Sequence, residues 1–169
     1  TNTNNIGVIN NNNNIILNNY SETDLSHLTP KDYKFMIKEV NNCIPRMIER
    51  VHFNPEKPEN MNVYISNMKN KFIMVYKDGS WKLCNRNHEI DKMMDVKCAQ
   101  LSEWLDENNQ YTNLKQCFEK MEENMKNKNV KISIQEEMKL ILYNNRGLLQ
   151  DTIEDDEHTE EEHELVDYE

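Results

Sequence analysis

Glycine and proline are scarce in this chain of 169 residues, with three and four copies, so each one that occurs marks a place where the backbone needs it. No apolar run approaches the length of a membrane span, and no stretch has the pattern of a signal peptide. The four cysteines, Cys43, Cys84, Cys98 and Cys117, are widely spaced with no CxxC pair, which removes the tight ligand pairs of most structural zinc sites. No Gly-rich phosphate loop, GxSxG or HExxH occurs, so none of these motifs points to a site. Nothing implies a cofactor.

What is abundant is asparagine and acid. Asn, Lys and Ile share AT-rich codons, so the Asn content is as much a mark of genome composition as of physical selection. The net charge of −10 is set by the last stretch: residues 151–169 carry eleven Asp and Glu and no Lys or Arg. Residues 1–150 hold 20 basic and 19 acidic side chains, so the foldable part is close to neutral. Three cysteines fall on or beside apolar helical stripes, which fits reduced thiols in an intracellular compartment. The chain opens on Thr1 rather than Met, which we read as a fragment or a processed product.

The stretch Val51 to Cys84, VHFNPEKPENMNVYISNMKNKFIMVYKDGSWKLC, organises the rest. A loop stiffened by Pro55 and Pro58 leads into three runs rich in β-branched and aromatic residues, at 62–66, 72–76 and 80–83. Asp78-Gly79 between the last two fits a two-residue hairpin turn, whose central positions both need positive φ. Phe72, Met74 and Tyr76 share one side of the second run, Ile73 and Val75 the other, which suits a central strand. Trp81 and Leu83 share a side, expected to be the one packed on helices.

Helices flank this meander. Thr29-Pro30 with Asp32 reads as an N-cap, a proline in the first turn and an acid at the positive end of the dipole. Tyr33, Met36, Ile37 and Val40 then fall on one face. Asn41-Asn42 interrupts, and Pro45 opens a second helix carrying Ile44, Met47, Ile48 and Val51; a single kinked helix is the alternative. After the meander, one stripe runs through Ile90, Met93, Met94, Leu101, Trp104 and Leu105. A second runs through Leu114, Cys117, Phe118, Met121 and Met125. Ser133 with Glu136 reads as a capping box opening the last helix, with Ile134, Met138, Ile141 and Leu142 buried and Gly147 as its C′ residue. The ten methionines read as core filling rather than as an adaptable binding surface.

The sequence therefore predicts an α+β fold: an N-terminal helix pair, a three-stranded antiparallel β-meander and a C-terminal three-helix group. Residues 25–150 form this single domain. Residues 1–24 are an Asn-rich linker or an oligomerisation strand, in which Ile6, Val8, Ile15 and Leu17 alternate with polar positions. Residues 151–169 are a disordered acidic tail, which offers either solubility or a segment that occupies a basic surface.

Three constellations carry possible chemistry. Cys43, His52, Cys84 and His88 supply two thiols and two imidazoles for a tetrahedral metal site, against the simpler reading of Cys43 as core and His88 as an exposed first-turn residue. His52 with Asn54, Asn60 and Asn62 has the residue types of a ββα-metal nuclease, but His52 precedes the hairpin on a helix end, where its charge would suit the dipole. Lys69, Lys71, Lys77, Lys82 and Arg86 lie among Tyr64, Phe72, Tyr76 and Trp81, the mixture found on stacking platforms for nucleic acid. Basic residues at turns and edges equally serve solubility and block edge pairing.

The run HFNPEKPENMNVYISNMKNKFIMVYKDGSWKLCNR, with CIPRMIERV before it and LILYNNR after, resembles a module of uncharacterised proteins of giant DNA viruses of the mimivirus type. There it forms the C-terminal half of proteins whose N-terminal half is often a zinc-finger-like segment followed by a coiled coil or Asn-rich linker. The resemblance covers about residues 5–147 and rests mainly on 52–84. It implies a non-enzymatic interaction or oligomerisation module of a regulator or scaffold, in the virion or the host cytoplasm at the viral factory. It carries no catalytic residues. The expected partners are a second copy of the chain, in a dimer, and other viral or host proteins, with nucleic acid as the alternative and no membrane.

Overall fold

The computed structural model describes residues 15–149. The order of elements is α1 (Pro30–Lys38), α2 (Cys43–His52), β1 (Val63–Tyr64), β2 (Phe72–Lys77), β3 (Ser80–Asn85), α3 (Arg86–Glu107), α4 (Thr112–Met125) and α5 (Lys128–Asn144), with short 3-10 turns between and at the ends. This is the α+β fold expected, with a helix pair, a meander and a three-helix group.

Thr29 caps α1 as part of a capping box with Asp32, and Pro30 occupies the first turn. The helix pair is real rather than one kinked helix. The break falls at Val40, whose φ of 50° lies in the left-handed region that a β-branched residue enters only under strain. A 3-10 turn, Val40–Asn42, then leads into α2, and Pro45 sits in its first turn.

The sheet runs β1-β2-β3, antiparallel throughout. Lys77 pairs with Ser80 across Asp78-Gly79, and φ values of 52° and 80° at those two residues supply the positive-φ pair the turn requires. Parity fixes the faces. Val63, Ile73 and Val75 are fully buried, so their side is the one packed on helices. Trp81 and Leu83 pair with Tyr76 and Met74 and so lie on the opposite, outer side, where Leu83 is 62% exposed. The expectation that they pack on helices is corrected: alternation tells which residues share a side, not which side is covered.

The core joins all five helices to the inner side of the sheet. Met36, Ile37, Ile44, Met47, Ile48, Ile90, Met93, Leu101, Met121, Met138 and Leu142 are at most 1% exposed, so the methionines inside the stripes fill the core. Each such side chain contributes about 1.5–3 kcal/mol by leaving water. The last helix, α5, packs on α2, α3 and α4 and touches β1, where the Ile65 amide donates to Leu142 O at 3.2 Å. It begins at Lys128, not at Ser133. Asn127 is its cap, its side chain accepting from the amides of Asn129 and Val130, so Ser133 is an exposed mid-helix residue. It ends at Asn144 with Asn145 as C-cap, and Gly147 lies in the following 3-10 turn.

The domain begins earlier than residue 25. Leu17 is buried at 9%, Tyr20–Glu22 form a 3-10 turn, and the Asn18 amide donates to Glu59 O at 2.8 Å. Residues 15–24 are therefore a strap laid on the domain, because buried Asn side chains of the 58–62 loop supply partners for their backbone. The remaining part of the expected linker or strand, 1–14, and the acidic tail lie outside the described residues.

Candidate functional site

The strap closes over a polar knot built by the Pro55–Pro58 loop. Asn60 and Asn62, both fully buried, face back toward α2 and up to the strap. Asn60 Oδ1 accepts from Asn18 Nδ2 at 3.0 Å and from the Asp24 amide at 3.1 Å, and its Nδ2 donates to Asp24 O at 2.6 Å. Asn62 Nδ2 donates to Asn18 O at 3.1 Å and to Thr23 Oγ1 at 3.0 Å. Below them His52 Nδ1 lies 3.0 Å from Asn60 O and 2.9 Å from Asn62 Oδ1. Both partners are acceptors, so the imidazole carries its proton on Nδ1, and Nε2 is left without a partner among the described residues. The Tyr20 ring stacks on His52 at 5.8 Å between centroids.

Desolvation and the nearby charge of Lys97 hold the His52 imidazole well below its ordinary range, so it is neutral. The expectation of a dipole-stabilised charge there is corrected. Sealed at 0% exposure under Tyr20, His52 is out of reach of a phosphodiester, and Asn60 and Asn62 are spent on holding it and the strap.

The four metal candidates do not meet. Cys43 is buried at the start of α2, His52 is in the knot, Cys84 is half-buried on β3 beside the Lys77 ammonium at 3.8 Å, and His88 is exposed in the first turn of α3. Among the described residues no group of three or more His, Cys, Asp or Glu is arranged to hold a metal ion. All four cysteines are free thiols. Burial pushes the Cys43 thiol up to about 12 and Cys98 up to about 11, away from reactive thiolate.

The basic and aromatic residues of the meander are divided between its two sides. Tyr64 and Trp81 meet on the outer side, with ring centroids 5.0 Å apart and edge to face; Trp81 also meets Tyr76 at 5.5 Å. Phe72, 38% exposed, and Leu83 extend this surface, and Lys71 lies over the Phe72 ring at 5.9 Å. Lys69 is exposed in the loop before β2. Lys77 and Lys82 alternate to the other side, with Lys77 Nζ 3.6 Å from Glu89 Oε1. Arg86 folds back on the β1–β2 loop, donating to Asn67 O at 3.5 Å and to Met68 O at 3.4–3.5 Å. The outer surface is thus apolar and aromatic, with Lys69 and Lys71 near one end.

Behind Lys77 lies a cleft of about 410 Å³ between the strap, the β2–β3 turn and α3. Asn19, Tyr20, Ser21 and Thr23 form one wall, and Lys92, Val96, Lys97 and Gln100 of α3 another. Lys97 is 3% exposed, and its ammonium has no hydrogen bond or ion pair among the described residues. Desolvation pushes it down from 10.5 to about 7. Gln100 Oε1 and the Glu89 Oε2 near the cleft are fully buried without partners among these residues. Glu89 Oε1 stands 3.6 Å from Lys77 and 3.9 Å from Lys92. Burial and the Glu89 charge push the Tyr20 phenol well above its ordinary range. The sequence reading missed this cleft, although a signal existed: Lys97 falls in phase with Ile90, Met93, Met94 and Leu101, so a lysine stands where the stripe demands an apolar residue.

No protein-family model, curated protein or solved structure matches the chain. No helix among the described residues is long and apolar enough to cross a membrane.

Proposed function

We propose that this chain is a non-enzymatic interaction module that self-associates through the outer side of its sheet. The observation that carries this reading is the outer side of the sheet, where Phe72 and Leu83 are exposed beside half-buried Met74 and Trp81, next to the edge of β3 that has no strand partner among the described residues. Aromatic residues set in a rigid sheet suit the centre of a protein interface, and an open edge strand offers backbone groups to a partner. A twofold pairing of this surface closes on itself and leaves no apolar side to water. The viral regulator or scaffold role rests on the resemblance alone, which is carried mainly by residues 52–84.

The nucleic-acid reading is weaker, because Lys77, Lys82 and Arg86 do not share the aromatic side. Light scattering and sedimentation at tens of micromolar test the proposal. A dimer is expected for the native chain and a monomer for Leu83→Asp, with unchanged circular dichroism. A native monomer across that range sinks the reading. A gel shift that weakens steeply with salt would favour nucleic acid instead.

A further inference from the structure

We propose that the cleft between the strap and α3 binds a small phosphorylated molecule, whose phosphoryl oxygens take Lys97 as their counter-charge. Lys97 is the one buried ammonium among the described residues, and it lines an open cleft rather than a sealed core. An unpaired buried charge is costly, and a fold that only needed packing at this step of α3 would carry an apolar residue. Water could hydrogen-bond the amine but brings no opposite charge, and about 410 Å³ is far more space than one water fills.

The surroundings match a phosphoryl group better than a single carboxylate. Lys77 and Lys92 line the same cleft, each held only loosely from behind by Glu89, and Asp78 is the lone acid in the lining. The Ser21 hydroxyl and the Gln100 amide supply neutral groups of the kind that hold phosphoryl oxygens; the orphaned Gln100 Oε1 exchanges with its Nε2 by a flip of the amide. The titratable groups in and around the cleft are His52 from α2, which feels the Lys97 charge, Tyr20 from the strap, Lys77 and Asp78 from the hairpin, Lys92 from the same helix, and Glu89 behind Tyr20, Lys77 and Lys92. Of these the two acids lie against other lysines or at the turn. An incoming phosphoryl group restores full charge to Lys97, so binding above neutral pH draws a proton from solution.

The test is calorimetric titration of the full chain with glycerol phosphate, a monoester already dianionic at pH 8, at that pH and low salt, repeated in two buffers of different protonation enthalpy. Saturable binding at one site is expected, with uptake approaching one proton. Lys97→Met should weaken it at least tenfold and abolish the uptake, while Lys82→Met, exposed on β3 outside the cleft, should stay within twofold of the native chain. Leu83→Asp, which tests self-association on the other side of the sheet, should also leave it unchanged, so the two proposals fail separately. Absence of saturable binding by the native chain overturns the inference. So does equal affinity in a folded Lys97→Met variant, or binding without proton uptake.

Discussion

Lys97 sits at 3% exposure in the middle of α3, and desolvation alone moves its ammonium from 10.5 to about 7. Between those two values the unfolded chain holds a proton that the folded chain lacks, so stability rises with pH across that window, and below about 7 the whole cost remains. Lys97→Met removes the charge and keeps the length. At pH 6.5 it should stabilise the fold, by on the order of 4 kcal/mol at most. Urea unfolding at several pH values checks this: the gap between variant and native chain should narrow by about 1 kcal/mol per unit above pH 7.5. A constant gap would mean Lys97 does not titrate in this range. His52 works on the acid side. Its folded imidazole is held neutral, so below about 6.5 the unfolded chain takes up a proton the folded one refuses, and stability falls as pH drops. His52→Gln should be less stable at pH 7 yet show a flatter decline from pH 6.5 to 5.

At the level of elements, α5 offers a direct comparison of two caps. Asn127→Ala should cost about 1 kcal/mol, because its side chain serves two orphan amides, while Ser133→Ala should stay within about 0.5 kcal/mol. Met138→Ala, at a fully buried position of the same helix, should cost about 2–5 kcal/mol by denaturant unfolding. The sequence made α5 visible through its stripe but not its start, since Asn127 and Ser133 are both acceptable caps and only the packed turn between them decides. The hairpin was legible because positive φ at two successive residues leaves few choices, and Asp78-Gly79 is one of them. The face of β3 was not, because period-two alternation is symmetric between the two sides of a sheet. The cleft escaped for another reason. Its wall at Asn19, Tyr20 and Ser21 comes from a stretch whose composition reads as linker, and its seating depends on Asn60 and Asn62, 36 to 44 residues away.

Across the whole molecule, one core cluster joins sheet and helices, so both should be lost in one transition. Trp81 on the sheet and Trp104 on α3 dominate the fluorescence, and that signal should unfold together with far-ultraviolet circular dichroism; separated midpoints would indicate two units. The strap is the exception in how it is attached. Residues 18–24 are held by side-chain amides, the Asp24–Lys57 ion pair, the Tyr20 ring on His52 and one backbone bond to Glu59, with no ladder beneath them. Such a segment opens locally at a free energy below that of global unfolding. Its amide protons should therefore exchange with deuterium well before those in the middle of α3. Because Tyr20, Ser21 and Thr23 are also a wall of the cleft, each opening takes that wall away from Lys97. A ligand resting against the wall loses those contacts each time the strap lifts, so opening of the strap should speed its release. The exchange rate of residues 18–24 then reports how often a ligand whose charge is met on α3 is left with one wall fewer.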